Sequence, residues 1–287
     1  MVDLRGTGVA LVTPFNEDGS VDFDGLKNLL EFTGEHVNYY VVMGTTGESA
    51  TCTTEEKQAI LDFVKTNNTK NLPIVYGIGG NNTKAVVEQI EHTNLEGVTA
   101  ILSVSPYYNK PSQNGLIAHY QYIADRSPLP IILYNVPGRT GSNILAETTL
   151  KLAQHPNIIG VKEAVGQLEQ TEQIAKNKSD DFLLISGDDL LTAEMIEQGG
   201  IGAISVLANG FPKEFSEAVN YGLAGQHSEA KAKFEEFASI NPLMYAESNP
   251  VGVKEVLRFK GVCGNQVRLP LVKASEELSQ QIDSLLN

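Results

Sequence analysis

The chain has 287 residues, 41% hydrophobic and 20% charged, with 21 Lys+Arg against 35 Asp+Glu and a formal charge of −14. This is the make-up of a globular protein with a sizeable core, and the acidity argues against nucleic acid or an anionic membrane surface as a partner. Two cysteines, Cys52 and Cys263, cannot supply a disulfide framework. Met-Val-Asp-Leu-Arg runs straight into an apolar segment with no leader pattern, and no 18-residue apolar span follows, so a cytoplasmic chain with free thiols is expected.

Apolar segments of strand length then alternate with segments of helical period. Residues 8–15 (GVALVTPF) read as the first strand, ended by Pro14, and Phe23, Leu26, Leu29 and Leu30 recur at helical spacing. A second strand is expected over 39–43, and Thr53-x-x-Glu56 is a capping box opening a helix with Ile60, Leu61 and Val64 on one side. Further strands follow at 72–78, 100–105, 130–136, 157–164, 182–186 and 202–208. The helices after them fall at 84–94, 115–125, 145–154, 167–176, 191–198 and 213–222. Eight strand-then-helix units imply parallel strands, and eight of them close best into an α/β (β/α)8 TIM barrel. A doubly wound sheet is the alternative, but Gly77-Ile-Gly79-Gly80-Asn81-Asn82 lacks the third glycine of a dinucleotide fingerprint. Beyond about residue 225 the strands stop. Segments 226–238, Val251–Phe259 and 274–286 read as helices, with Phe234/Phe237 and Leu278/Ile282/Leu285 as packing stripes. The expected organisation is a catalytic barrel over 1–225 and a C-terminal helical appendix over 226–287.

In such a barrel the working face lies at the C-terminal ends of the strands. The sixth strand (NIIGVKEA, 157–164) ends in Lys162 and Glu163, where a strand buried on both faces should carry neither. A strand-end lysine often simply reaches water. A lysine in an apolar pocket instead gives up its proton readily, because desolvation disfavours the ammonium, and a neutral amine condenses with a ketone to a Schiff base. Other strand ends are loaded too: Gly44-Thr45-Thr46-Gly47-Glu48-Ser49, Ser105-Pro106-Tyr107-Tyr108-Asn109-Lys110-Pro111, Tyr134-Asn135-Val136-Pro137-Gly138-Arg139-Thr140-Gly141 and Ser186-Gly187-Asp188-Asp189. Turn chemistry alone does not explain so many, so the functional reading of Lys162 is preferred. The five histidines show no i, i+4 pair, and neither a GxSxG elbow nor a Walker loop is present.

These motifs, with Gly202-Ala-Ile-Ser-Val and Glu247-Ser-Asn-Pro-Val, keep the order and spacing of a known family. From Gly8 to at least Leu271 the chain resembles the dihydrodipicolinate synthase family, within the broader pyruvate-dependent class I aldolases. GTTGES and a strand-end lysine are common to that whole class. YNVPGRTG with Arg139 is similar to the synthases and not to N-acetylneuraminate lyase. Val165 and Ser248 depart from the family's usual Thr or Ser and Pro.

The resemblance implies condensation of pyruvate with L-aspartate 4-semialdehyde to 4-hydroxy-tetrahydrodipicolinate, the first committed step towards diaminopimelate and lysine. It implies Lys162 as the Schiff-base amine, Tyr134 as proton donor and acceptor, and Thr45 and Tyr108 as its relay. Thr46 and the backbone near Ile204 would hold the pyruvate carboxylate, Gly187 would let backbone approach substrate, and Arg139 would bind the semialdehyde carboxylate. Tyr107 would lie at the tight interface of a homotetramer built as a dimer of dimers, and no metal or organic cofactor would be needed. Many relatives are inhibited by lysine at that interface. Ser49, Ala50, Asn81 and Tyr107 match the inhibited pattern, but Thr54 and Lys57 replace histidines and Ala85 replaces a glutamate, so insensitivity to lysine is expected. Two other readings stand beside this one: a pyruvate-releasing aldolase acting on sialic acid or a 2-keto-3-deoxy sugar acid, and a non-catalytic binding protein for a small acid.

Overall fold

Eight short strands define the architecture of the computed structural model, which describes residues 3–287. They are β1 (Gly6–Ala10), β2 (Tyr39–Val42), β3 (Ile74–Gly77), β4 (Ala100–Val104), β5 (Ile131–Asn135), β6 (Ile158–Glu163), β7 (Leu183–Ser186) and β8 (Gly202–Ser205). Every pairing is parallel, each strand bonds its sequence neighbour, and β8 returns to β1 through Gly6↔Gly202 to Val9↔Ser205. The expected closed (β/α)8 barrel with C-terminal helices is the fold.

The period-2 alternation of a strand sorts the side chains into two cores. Tyr39, Val41, Val75, Ala100, Leu102, Ile132, Ile185 and Ile204 fill the lumen. Their neighbours Tyr40, Val42, Ile74, Tyr76, Ile101, Ile131, Leu133, Val161 and Leu184 face the helical shell. Strands apolar on both faces are therefore what this closed sheet demands.

The shell helices are α1 (Phe23–Gly34), α2 (Thr54–Asn67), α3 (Thr83–His92), α4 (Gln113–Ala124), α5 (Pro137–Thr140), α6 (Ala146–Leu152), α7 (Leu168–Asn177), α8 (Thr192–Glu197) and α9 (Pro212–Leu223). The Thr53/Glu56 capping box forms in both directions, at 3.2 and 2.9 Å. The expected strands 8–15 and 202–208 run past the observed ends of β1 and β8, and the cause is tertiary hydrogen bonding. Val12 N–H donates to Asn209 Oδ1 at 3.1 Å instead of to a strand, and Val206 and Leu207 N–H donate to the Asp189 carboxylate. Side chains have taken the backbone groups that a ladder needs. The one-turn helix α5 was not expected, because Val-Pro-Gly-Arg reads as a turn.

After α9 come α10 (His227–Glu235), a 3-10 turn (Asn241–Met244), α11 (Val251–Phe259) and α12 (Glu276–Leu286). Phe234 packs edge-on to Phe215 of α9 with centroids 5.2 Å apart. Leu278 and Ile282 are buried, whereas Leu285, in the last turn, is 47% exposed. Lys254 of α11 is wholly buried; its Nζ donates to Glu48 Oε1 at 2.5 Å and to the Gln266 carbonyl at 2.6 Å. Glu48 Oε2 also accepts from Arg268 N–H at 3.0 Å. These bonds tie the appendix to the loop that follows β2. No helix of the described residues is long and apolar enough to cross a membrane.

Candidate active site

Lys162 is the fifth residue of β6, and alternation turns it into the lumen while Val161 and Glu163 face the shell. It is 5% exposed. Tyr134 of β5 is its registered partner, and Lys162 Nζ lies 4.5 Å from the centroid of the Tyr134 ring. Gly187, just after β7, closes the other side. A Cβ there would stand 2.9 Å from Lys162 Cε and 2.8 Å from Ala164 Cβ. The glycine at this point leaves room for the side chains of Lys162 and Ala164.

The loop after β2 supplies the opposite wall. Met43 and Glu48, neither a glycine, adopt left-handed φ values of 58° and 52° on either side of Gly44–Gly47. Such backbone is strained and persists only where neighbours hold it. Here the holders are the Lys254 and Arg268 bonds to Glu48 and a 2.7 Å bond from Thr13 Oγ1 to the Gly47 carbonyl. Thr46, 3% exposed, accepts a 3.0 Å hydrogen bond from Asn249 Nδ2 at its Oγ1. With that lone pair occupied, the Thr46 hydroxyl hydrogen is left to donate into the cavity.

The cavity over Lys162, about 300 Å³, is lined by Tyr134, Thr46, Gly187, Arg139, Asn249 and Tyr245, among others. It adjoins a second of about 430 Å³ that shares Arg139 and Asn249 and is lined as well by Thr45, Ser49, Ala50, Lys57 and Tyr107. Lys162, Tyr134, Thr46, Arg139 and Gly187 are thus brought together; Thr45 lines the second cavity and, with Tyr134, a smaller one. Ile204 lies in the lumen, 1% exposed, and Val206, two residues on, does the lining. Asn81 holds the tyrosine segment by donating to the Tyr107 carbonyl at 3.0 Å. Tyr108 is not brought to this cluster: it lines neither cavity and is 90% exposed, with φ 71°. Asn249 and Tyr245 were not singled out from the sequence. Asn249 lies within the quoted Glu247-Ser-Asn-Pro motif and could have been found there.

Two buried acids surround the site without entering it. Burial pushes Asp189 up to about 6, against the opposing pull of its bonds to backbone N–H groups. Burial pushes Glu163 up to about 7, outweighing the amides of Asn135 and Gln170. No group of three or more His, Cys, Asp or Glu arranged to hold a metal occurs among the described residues.

A strand-end amine lies beside a phenol inside a (β/α)8 lumen, and likeness to known proteins shows the chain to be an enzyme of the pyruvate-dependent class I aldolase type. The dihydrodipicolinate synthetase family matches residues 3–287, and the chain belongs to that family. It is 50% identical over 284 residues to the 4-hydroxy-tetrahydrodipicolinate synthase of Cytophaga hutchinsonii, covering 99% of this chain and 96% of that one. Among solved structures it is similar to the chloride-inhibited dihydrodipicolinate synthase of Acinetobacter baumannii complexed with pyruvate, with a TM-score of 0.96, 37% identity and 99% and 98% of the two chains covered. The enzyme of Cyanidioschyzon merolae with lysine bound gives a TM-score of 0.94 at 36% identity, covering 99% and 97%.

Proposed function

We propose that Lys162 carries the reaction and that the groups around it divide the two substrates between them. The reaction is that of the family, condensation of pyruvate with L-aspartate 4-semialdehyde to 4-hydroxy-tetrahydrodipicolinate. Lys162 Nζ attacks the pyruvate ketone and water leaves, giving an imine. The imine draws electrons from the methyl group, whose proton goes to a base and leaves an enamine. The enamine carbon attacks the aldehyde of the second substrate, forming the carbon–carbon bond. The amine of that substrate then closes the ring on the imine carbon and releases Lys162.

Tyr134, in contact with Lys162, is the group we assign to move the protons, with Thr45 beside it. The free hydrogen of Thr46 and backbone near Val206 suit the pyruvate carboxylate. Arg139 at the mouth suits the carboxylate of the semialdehyde, since its guanidinium can meet both oxygens at once. Tyr108 cannot complete a relay within its own subunit, so we place it and Tyr107 at the interface of a homotetramer, where a neighbouring copy's relay receives it. The cytoplasm is the compartment we assign.

The observation that carries this reading is the registered Tyr134–Lys162 pair opening on a cavity that Arg139 also lines. Borohydride reduction in the presence of pyruvate should add the mass of reduced pyruvate to the Lys162 peptide and to no other. Purified enzyme should consume both substrates in a coupled assay. A labelled lysine elsewhere, or release of pyruvate from sialic acid with no condensation, would overturn the assignment.

A further inference from the structure

Directly behind the Tyr134–Lys162 pair, the next registered pair on the same two strands is Asn135 and Glu163. Alternation turns these two out of the lumen and into the layer beneath the helices, where Asn135 is fully buried and Glu163 is 1% exposed. Among the described residues Glu163 has no cation within ion-pair distance. Its partners are amides. Asn135 Nδ2 donates to Oε1 at 2.8 Å, and Gln170 Nε2 of α7 donates to Oε2 at 2.9 Å.

The same amides reach the loop that bears Arg139. Asn135 Nδ2 donates to Asn143 Oδ1 at 2.7 Å, and Asn135 Oδ1 accepts from Ile144 N–H at 2.9 Å. Gln170 Nε2 donates to the Ile144 carbonyl at 3.0 Å, and Gln170 Oε1 accepts from Asn143 Nδ2 at 2.8 Å. The chain leaves β5 at Asn135 and is thus stitched back onto Asn135 nine residues later, with Arg139 midway between.

A count of hydrogens shows why an acid is needed. A primary amide has two N–H groups. The short bonds of Asn135 use both of its hydrogens, one on Asn143 and one on Glu163. Gln170 likewise spends one on Ile144 and one on Glu163. Both remaining hydrogens converge on residue 163, which must accept at two atoms and donate at neither. The carboxylate that Glu163 presents at pH 8, above its raised value of about 7, does that. A glutamine there would turn an N–H against an N–H and break one of the two links.

We propose that Glu163 is a positioning residue: through Asn135, Gln170 and Asn143 it fixes the loop that presents Arg139, and so sets binding of the second substrate without touching either one. The proposal rests on the reading of Arg139 as the clamp for the semialdehyde carboxylate, and the test separates the two. Glu163→Gln, Asn143→Ala, Arg139→Ala and the double variant Arg139→Ala/Glu163→Gln are assayed at pH 8. The readouts are KM for L-aspartate 4-semialdehyde, the rate of borohydride-trapped imine with pyruvate alone, and Tm.

Glu163→Gln should raise KM for the semialdehyde by roughly ten- to a hundredfold, the worth of a buried hydrogen bond to a charged group. Imine formation should stay within about threefold, since Glu163 turns away from the lumen and its side chain bonds Asn135 and Gln170 rather than Lys162 or Tyr134. Asn143→Ala, which cuts the same link at the loop end, should move KM in the same direction, and it serves if Glu163→Gln folds poorly. The double variant should bind the semialdehyde no worse than Arg139→Ala alone, because residues acting through one contact are not additive. Raised KM in Arg139→Ala with unchanged KM in Glu163→Gln and Asn143→Ala overturns the proposal and leaves the clamp standing. Additive effects, or equal loss of both steps together with a fall in Tm, also overturn it. Unchanged KM in Arg139→Ala overturns the clamp reading itself.

Discussion

Gly187 has so little room beside Lys162 that a single methyl group there decides an experiment. Gly187→Ala would set a Cβ 2.8 Å from Ala164 Cβ and 2.9 Å from Lys162 Cε, closer than such atoms approach, so the lysine and the strand end beside it have to shift. Misplacing a reacting group by about 1 Å costs on the order of a hundredfold. We expect kcat to fall by about that factor, together with some fall in Tm from the contact with Ala164; normal turnover would show that the lysine works from another rotamer. Glu163 gives a prediction in pH. Its ordinary value is 4.5 and the fold raises it to about 7, so between those values the native state holds a proton that the unfolded chain has lost. Stability therefore falls as pH rises through that window, by about 3 kcal/mol in all. Asp189, raised from 3.8 to about 6, acts in the same direction. His119, lowered by burial from 6.5 to about 4, acts in the opposite one, stabilising as pH rises. The measurement must therefore be a difference. In urea unfolding, Glu163→Gln should gain about 2–3 kcal/mol relative to the parent between pH 5 and pH 8. A constant difference would place the titration elsewhere.

Among the elements, the loop after β2 and helix α11 behave as one unit, although about 200 residues separate them in sequence. Lys254 and Glu48 are 0% and 2% exposed at the side chain and bond at 2.5 Å. Removing one partner of such a pair strands a buried charge, which costs about 3–5 kcal/mol, whereas replacing both is far milder. Lys254→Met should accordingly destabilise by that amount, and Lys254→Met with Glu48→Gln should recover at least about half of it in urea unfolding. No recovery would show that the pair is not coupled. This unit was the least legible part of the sequence. Glu48 stands in a glycine-rich strand end and Lys254 in a helix that also carries Glu255 and Arg258; nothing local says that two charges so far apart meet out of water. The strands were legible because burial on both faces leaves continuous β-branched runs, as in 157–164. Their ends were not, since Asn209 and Asp189 end β1 and β8 by tertiary hydrogen bonds. The gathering of Lys162, Tyr134, Thr46 and Arg139 about one cavity was legible because all four stand at or just after strand ends, which a closed parallel barrel brings to one face. The exposure of Tyr108 was not, because a strand-end motif does not say which of its side chains turn away from the barrel mouth.

For the molecule as a whole, the remaining question is how its second cavity answers the pathway's end product. Ser49, Ala50 and Tyr107, matched to the lysine-inhibited pattern, do line one cavity together. Its charges are wrong for lysine. Of the ionisable groups lining it, Glu48 is the single acid, and both its oxygens are engaged, by Lys254 and by Arg268 N–H. Lys57 and Arg139 line the same space as cations, and among the described residues Lys57 has no carboxylate within ion-pair distance. Ala85, where the inhibited pattern has glutamate, is exposed in the first turn of α3 and offers only a methyl group. An α-amino acid with a second ammonium would bring its positive groups towards Lys57 and find no free carboxylate to meet them. A missing partner for a buried charge costs about 2–5 kcal/mol, or roughly 30-fold or more in affinity. Lysine at millimolar concentration should therefore leave the rate unchanged at both saturating and limiting pyruvate. Ala85→Glu with Lys57→His, which adds the acid and lightens the cation, should begin to introduce inhibition. Half-inhibition of the unaltered enzyme below about 1 mM lysine would mean that the ammonium is neutralised by residues outside this cavity, such as those of a neighbouring subunit.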